Sequence, residues 1–152
     1  LIESLVFSRA PFKMIVIGGQ VLNPAAKYEN YANHHAEERA YLLRRIEEEN
    51  ITGVIFLDGD RHHTELSKYE NKAGNMVYDL TVSSLTAGSA GLKYVLEEKN
   101  GYRVDGTVIA EHNFGVLEFS GKRTERHLKI NIYDKKGELL WDFDIDAPGK
   151  KK

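Results

Sequence analysis

Residues 54–66 read Val-Ile-Phe-Leu-Asp-Gly-Asp-Arg-His-His-Thr-Glu-Leu, an apolar run that breaks into two aspartates and two histidines within six residues. A run from Ile51 to Leu57 without polar alternation is the pattern of a strand buried on both faces. Lys13-Met14-Ile15-Val16-Ile17 has the same character and ends at Gly18-Gly19. Between the two, residues 34–49 carry Ala36, Ala40, Leu43 and Ile46 at spacings of three and four, which predicts a helix. Asn33 suits its N-cap, Glu37 and Glu38 suit its first turn, and Asn50 is the residue expected to stop it in a left-handed conformation. Strand, helix and strand in that order form a βαβ unit with parallel pairing. Ligand sites in such sheets gather beyond the carboxyl ends of the strands. Here those ends are Gly18-Gly19-Gln20 and Asp58-Gly59-Asp60-Arg61-His62.

From about residue 76 the pattern changes. Met76 to Val82, Thr107 to His112, Phe114 to Phe119, His127 to Tyr133 and Glu138 to Ile145 read as strands. Turn signals such as Asn100-Gly101, Ser120-Gly121 and Lys135-Lys136-Gly137 separate them. Leu128, Ile130 and Ile132 alternate with polar residues, so the C-terminal third is expected to be antiparallel hairpins with one wet face. The expectation is one α/β domain over residues 1–152, with a βαβ start and an antiparallel end.

Composition bounds what such a domain can do. A chain of 152 residues buries roughly 70% of the surface its unfolded form exposes, enough for one core. With 41% hydrophobic residues, 29% charged residues and only 3 prolines it is a globular sequence. A net charge of -2 gives no general field for nucleic acid or anionic membrane, and the Lys150-Lys151-Lys152 tail is too short to change that. No segment approaches the ~18 apolar residues of a membrane span. Cysteine is absent, which removes disulfides, thiolate nucleophiles and thiolate zinc sites together. A metal would have to sit on His, Asp and Glu.

If the chain stays extended past Leu57, alternation puts Asp60 and His62 on one side and Arg61 and His63 on the other. An Asp and a His two apart on an exposed strand end can reach one hard or borderline metal ion. The same residues would equally serve as a solvated loop whose charges pair with one another. His34 and His35 at the helix start are expected to face solvent. The Thr81-Val82-Ser83-Ser84-Leu85-Thr86 run offers hydroxyls but also reads as a turn. Gly115, in His112-Asn113-Phe114-Gly115, signals a bulge or a close approach. Glu65 reads as the polar half of a strand alternation.

Taken in order, several pieces resemble the C-terminal half of PhoD-like phosphatases, the alkaline phosphatase D type of the calcineurin-like metallophosphoesterase superfamily. They are 13–21, the helix with Tyr31 and Glu38-Arg39, the 54–66 segment, Tyr78 to Thr86, and Asn113-Phe114-Gly115-Val116-Leu117-Glu118-Phe119. The resemblance spans about residues 12 to 120. It implies part of a metallophosphoesterase-type β-sandwich flanked by helices, with a two-metal site that hydrolyses phosphate monoesters or diesters. By it Gly59-Asp60-Arg61-His62 takes the place of a Gly-His-x-His metal motif. His62 then stands as the metal-ligating, catalytic His, and Asp60 as a ligand that favours harder ions. Gln20 replaces a further ligand, and it, Arg61 and His63 are expected near substrate or behind the ligands. Calcium, iron, manganese or zinc, two ions per intact site, are the implied cofactors.

The earlier superfamily motifs have no match here, and the chain starts at Leu1 rather than Met. The expectation is therefore the C-terminal portion of a longer enzyme, inactive alone, with the N-terminal half as its partner. The family implies a periplasmic or cell-surface location. The alternative from another class is a non-catalytic binding or assembly module built on the same half-fold.

Overall fold

A computed structural model describes residues 1–25 and 30–148, so the Lys150-Lys151-Lys152 tail lies outside the described residues. In chain order the elements are α1 (Ile2–Phe7), β1 (Lys13–Val16), the single turn α2 (Tyr31–His34), α3 (Ala36–Glu48) and β2 (Val54–Asp58). They continue with β3 (Glu65–Glu70), β4 (Met76–Thr81), α4 (Leu92–Glu97), β5 (Asn113–Ser120), β6 (His127–Asp134) and β7 (Leu139–Asp146). The larger sheet has the order β1-β2-β4-β3, and the smaller has β5-β6-β7. β2 pairs parallel with both β1 and β4, β3 closes its end antiparallel, and the smaller sheet is antiparallel throughout. The fold is α/β with a βαβ start, two sheets, flanking helices and antiparallel C-terminal hairpins.

The parity of β2 explains the layering. Val54 and Phe56 face the helices, where they join Leu42 and Ile46 of α3, Leu5 of α1 and Val77 of β4. Ile55 faces the other way and meets Leu80, Leu128, Ile130 and Ile132 between the sheets. Because both faces of β2 are covered, its sequence has no polar alternation until Asp58.

The structure departs from the sequence expectation in four places. β1 is an edge strand rather than one buried on both faces, and Val16 is 77% exposed. Its apolar composition resembles that of β2, so composition alone did not separate them. The helix expected at 34–49 is two pieces: Asn30, not Asn33, caps α2 by accepting the Asn33 N–H, and His35 breaks the run with φ −142°. On α3 Leu42 is buried with Ile46 and Leu43 packs beside them, while Asn50 does follow the helix at φ 50°. Thr107 to His112 forms no strand, only a bridge between Ile109 and Thr64, because Gly106 at φ 80° and the Thr107 hydroxyl turn the chain locally.

Candidate functional site

Beyond Asp58 the chain leaves the extended conformation at once. Asp60 and His62 both adopt left-handed backbone angles, φ 64° and 57°, and Ser84 across from them sits at 69°. Non-glycine residues in this region are uncommon, cost of order 1–3 kcal/mol each, and persist where surrounding contacts over-determine them. Those contacts are visible. The Arg61 N–H turns back to the Gly59 carbonyl at 2.7 Å, the His62 N–H donates to Ser83 Oγ at 3.0 Å, and the His62 carbonyl accepts from Ala90 N–H at 2.6 Å. Thr64, fully buried, donates from Oγ1 to Asn113 Oδ1 at 2.7 Å and fixes the loop to the start of β5.

Asp60 and His62 are exposed while Arg61 and His63 are buried. The two-and-two division expected for a strand is thus reached by a twisted loop. The arrangement holds a carboxylate and an imidazole outward at the carboxyl end of a central strand, with their immediate neighbours as anchors. Arg61 forms a buried ion pair with Glu98. His63 Nδ1 lies 2.9 Å from the Arg61 carbonyl, and since a carbonyl only accepts, that nitrogen carries a proton. Its Nε2 points at Glu65 Oε2, 3.9 Å away and beyond hydrogen-bond range.

Glu65, which the alternation assigns to a polar surface, is the hub of this interior. Its carboxylate accepts from Gln20 Nε2 at 2.6 Å, Asn100 Nδ2 at 3.1 Å and Arg103 Nε at 2.5 Å. Burial pushes its pKa up, but His63 and Arg103 outweigh that and hold it at about 2. Gln20 also donates to Thr81 Oγ1 and accepts from Asn23, whose amide reaches Glu98. One buried network therefore runs from Arg61 through Glu98, Asn23 and Gln20 to Glu65 and Arg103. Gln20, Arg61 and His63 lie inside it. No local pattern marks Glu65 or Glu98; the signal is only that Gln20, Asn100 and Arg103 converge on Glu65 from 35 to 45 residues away, and Arg61 and Asn23 on Glu98 from 37 and 75.

Beside the network, on the same face of the sheet, stand Asp58 and Asp79. Asp79 Oδ2 accepts the N–H groups of Val21 and Leu22 at 2.9 and 2.5 Å, tying down the loop after β1. Neither oxygen of Asp58 has a hydrogen-bond partner. Burial first, then the neighbouring Asp79, raises the Asp58 pKa well above the carboxylate range. Burial raises Asp79 as well.

His34 and His35 line an open cavity of about 600 Å³ together with Gly18, Gly19, Tyr31 and Asp60. Of the hydroxyls in the 81–86 run, three are engaged internally, Thr81 with Gln20, Ser83 with His62 and Ser84 with the Gly88 carbonyl, while Thr86 is exposed. Gly115 marks a close approach, since a Cβ there would lie 3.1 Å from Ile132 Cδ1. Asp60 and His62 suit a hard or borderline ion by donor chemistry. They are two donors, and among the described residues no group of three or more His, Asp or Glu is arranged to hold one.

No protein-family model and no curated protein matches the chain. Among solved structures, one of PhoD aligns with it at TM-score 0.62 and 14% identity, covering 99% of this chain and 34% of that one. The fold is similar to that of PhoD. At this identity the likeness extends to the fold alone, and the chain spans about a third of that chain's length.

Proposed function

We propose that this chain is the C-terminal part of a metal-dependent phosphoric ester hydrolase of PhoD type. The observation that carries the reading is the 59–63 loop. In a fold similar to PhoD, its left-handed Asp60 and His62 are held out at the carboxyl end of β2 by buried Arg61 and His63. Asp60 and His62 would supply part of the shell of a two-ion site of calcium, iron, manganese or zinc. Bound there, such ions lower the pKa of a water and stabilise charge on the phosphoryl oxygens. Arg61, His63 and Gln20 act from behind by fixing the loop, because they are buried against Glu98 and Glu65. The cavity beside Asp60 would receive the phosphate ester. The N-terminal part of the enzyme would bring the remaining ligands, and a periplasmic or cell-surface location would follow from the likeness. A non-catalytic assembly module is the second reading, and the uncovered edge of β1 favours it.

The purified 152-residue chain should hydrolyse neither p-nitrophenyl phosphate nor bis-p-nitrophenyl phosphate with any of these ions, because two donors do not define the geometry of an activated water. Turnover that His62→Ala abolishes would sink the partial-site reading. In the longer enzyme His62→Ala should lower kcat by at least the ~10–100-fold that changes behind a metal ligand already cost. His34→Ala and His35→Ala, which line the cavity only, should act mainly on KM. Equal losses in kcat for all three would refute the role assigned to His62.

A further inference from the structure

The amino ends of β1 and β2, opposite the end that carries Asp60 and His62, hold a second polar concavity. Lys13 opens β1 and Thr52 stands two residues before β2, so both are separated from Asp60 by at least the length of β2, about 16 Å. The turn after α1 and the segment between β5 and β6 close a cavity of about 530 Å³ around them, with Ser8, Arg9, Lys13, Thr52, Arg123 and Thr124 in its wall. Sites for small molecules span roughly 300–1,000 Å³. Three of these residues are cations and three carry hydroxyls, and among the described residues no acid lines the cavity.

Backbone carbonyls, not carboxylates, draw the cations together. Lys13 Nζ donates to the Ala10 and Thr52 carbonyls at 3.1 and 2.9 Å, and Arg123 Nη2 donates to the Arg9 carbonyl at 2.8 Å. An ammonium and a guanidinium therefore hang from successive carbonyls of one turn. Each keeps N–H groups to give, since an ammonium has three and a guanidinium five. Like charges held close repel unless a counter-ion joins them. Of the described lysines only Lys13 and Lys129 are half-buried, and Lys129 has Asp142 at 2.8 Å. Lys13 has no such partner, and burial alone lowers its pKa. Among the described residues no carboxylate pairs with Arg9 or Arg123 either. The acids nearest in sequence are placed elsewhere: Asp146 lies on His127 Nδ1 at 2.9 Å, and Glu125 is not in the wall.

We infer that this cavity binds a small dianionic oxyanion, a phosphate group either free or at the head of a phosphomonoester. Three cations without an acid exceed what one carboxylate balances, whereas a phosphate has oxygens enough for two guanidinium forks and an ammonium. The hydroxyls of Ser8, Thr52 and Thr124 supply further donors. Ser8 Oγ accepts the Ala10 N–H at 3.3 Å, which leaves its own hydrogen to donate. The basic groups line a pocket rather than a stripe, and a net charge of -2 gives no field for a polyanion, so the ligand is a small molecule. The inference stands apart from the hydrolase reading, whose ions and ester belong to the other end of the sheet.

The 152-residue chain is titrated with inorganic phosphate in EDTA at fixed ionic strength and followed by amide NMR. Saturable shifts confined to residues 8–13, 52–53 and 123–124 are expected. Arg9→Gln and Arg123→Gln, both at exposed positions, should keep the spectrum of the folded chain. Each should weaken phosphate about tenfold, the worth of one charge-assisted hydrogen bond. Phenyl phosphate separates the two sources: tighter binding than inorganic phosphate at the same amides assigns the site to an ester, and weaker binding assigns it to the free ion. Absence of saturable shifts overturns the inference. Equal shifts with acetate or chloride mean an adventitious ion only and overturn it too. Shifts at residues 18–20 and 60–63 instead would put the anion at the other end of the sheet. Unchanged affinity in both variants would leave the cations as tethers of the backbone, and either result removes the site.

Discussion

β2 and β4 show two unlike faces to the interior. Toward the smaller sheet they present Ile55, Leu57, Tyr78 and Leu80, which pack with Leu128, Ile130 and Ile132. Toward the helices the same strands begin apolar, with Val54, Phe56 and Val77, and turn ionisable at their carboxyl ends with Asp58, Asp79 and Thr81. Glu65 and Ser67 of β3 continue that polar patch. The two faces divide the tasks. Non-directional apolar packing holds the layers together, whereas directional bonds from buried acids fix the loops 18–25 and 59–64 on which Asp60 and His62 stand. A buried charge is stabilising only while its partners remain, so the polar face should be the less forgiving of the two.

Glu65→Ala should have the largest effect. It strips Arg103 of its carboxylate and leaves Gln20 and Asn100 with donors pointing at nothing. Removing one partner of a buried charged network costs about 3–5 kcal/mol, and urea unfolding should show a loss in that range. On the apolar face Ile130→Val, which deletes one methylene at a fully buried site, should cost only about 0.5–1.5 kcal/mol. If Glu65→Ala proved the milder of the two, the network would be ornamental and the loop would owe its shape to packing alone.

How much of this the sequence reveals follows the same division. The strands with local signatures are legible: β2 from its unbroken apolar run, β6 from the alternation of Leu128, Ile130 and Ile132, and the end of α3 from Asn50. Asp60 and His62 stand out because acids and histidines directly after an inner strand are conspicuous in any register. Glu65 is not legible, since Thr64-Glu65-Leu66-Ser67 alternates like a half-wet strand and its partners lie 35 to 45 residues away. The edge position of β1 is hidden for a related reason. An apolar run states that a strand is to be covered and does not state by which chain, and Val16 is apolar although nothing among the described residues covers it.

The polar face also titrates in two directions, which gives a more discriminating test. Glu65 has its folded pKa at about 2 against an ordinary 4.5, so its contribution is full above pH 4.5 and is lost as pH falls toward 2, a change of roughly 3 kcal/mol. Asp58 and Asp79 are shifted upward, so the folded state holds on to a proton there. Their contribution is full below the ordinary 3.8 and declines as pH rises through the raised values. The parent chain should therefore lose stability on both sides of a mildly acidic maximum. Asp58→Asn keeps the shape, removes the charge, and places an amide donor beside Asp79, whose Oδ1 has no partner. It should leave the acid limb unchanged, flatten the decline that sets in as pH rises past the ordinary 3.8, and make the variant more stable than the parent at pH 8. Urea midpoints taken from pH 3 to 9 on both proteins decide it. An unchanged decline with rising pH in Asp58→Asn would mean that the two aspartates do not share the proton, and that Asp79, fixed by the Val21 and Leu22 amides, titrates alone.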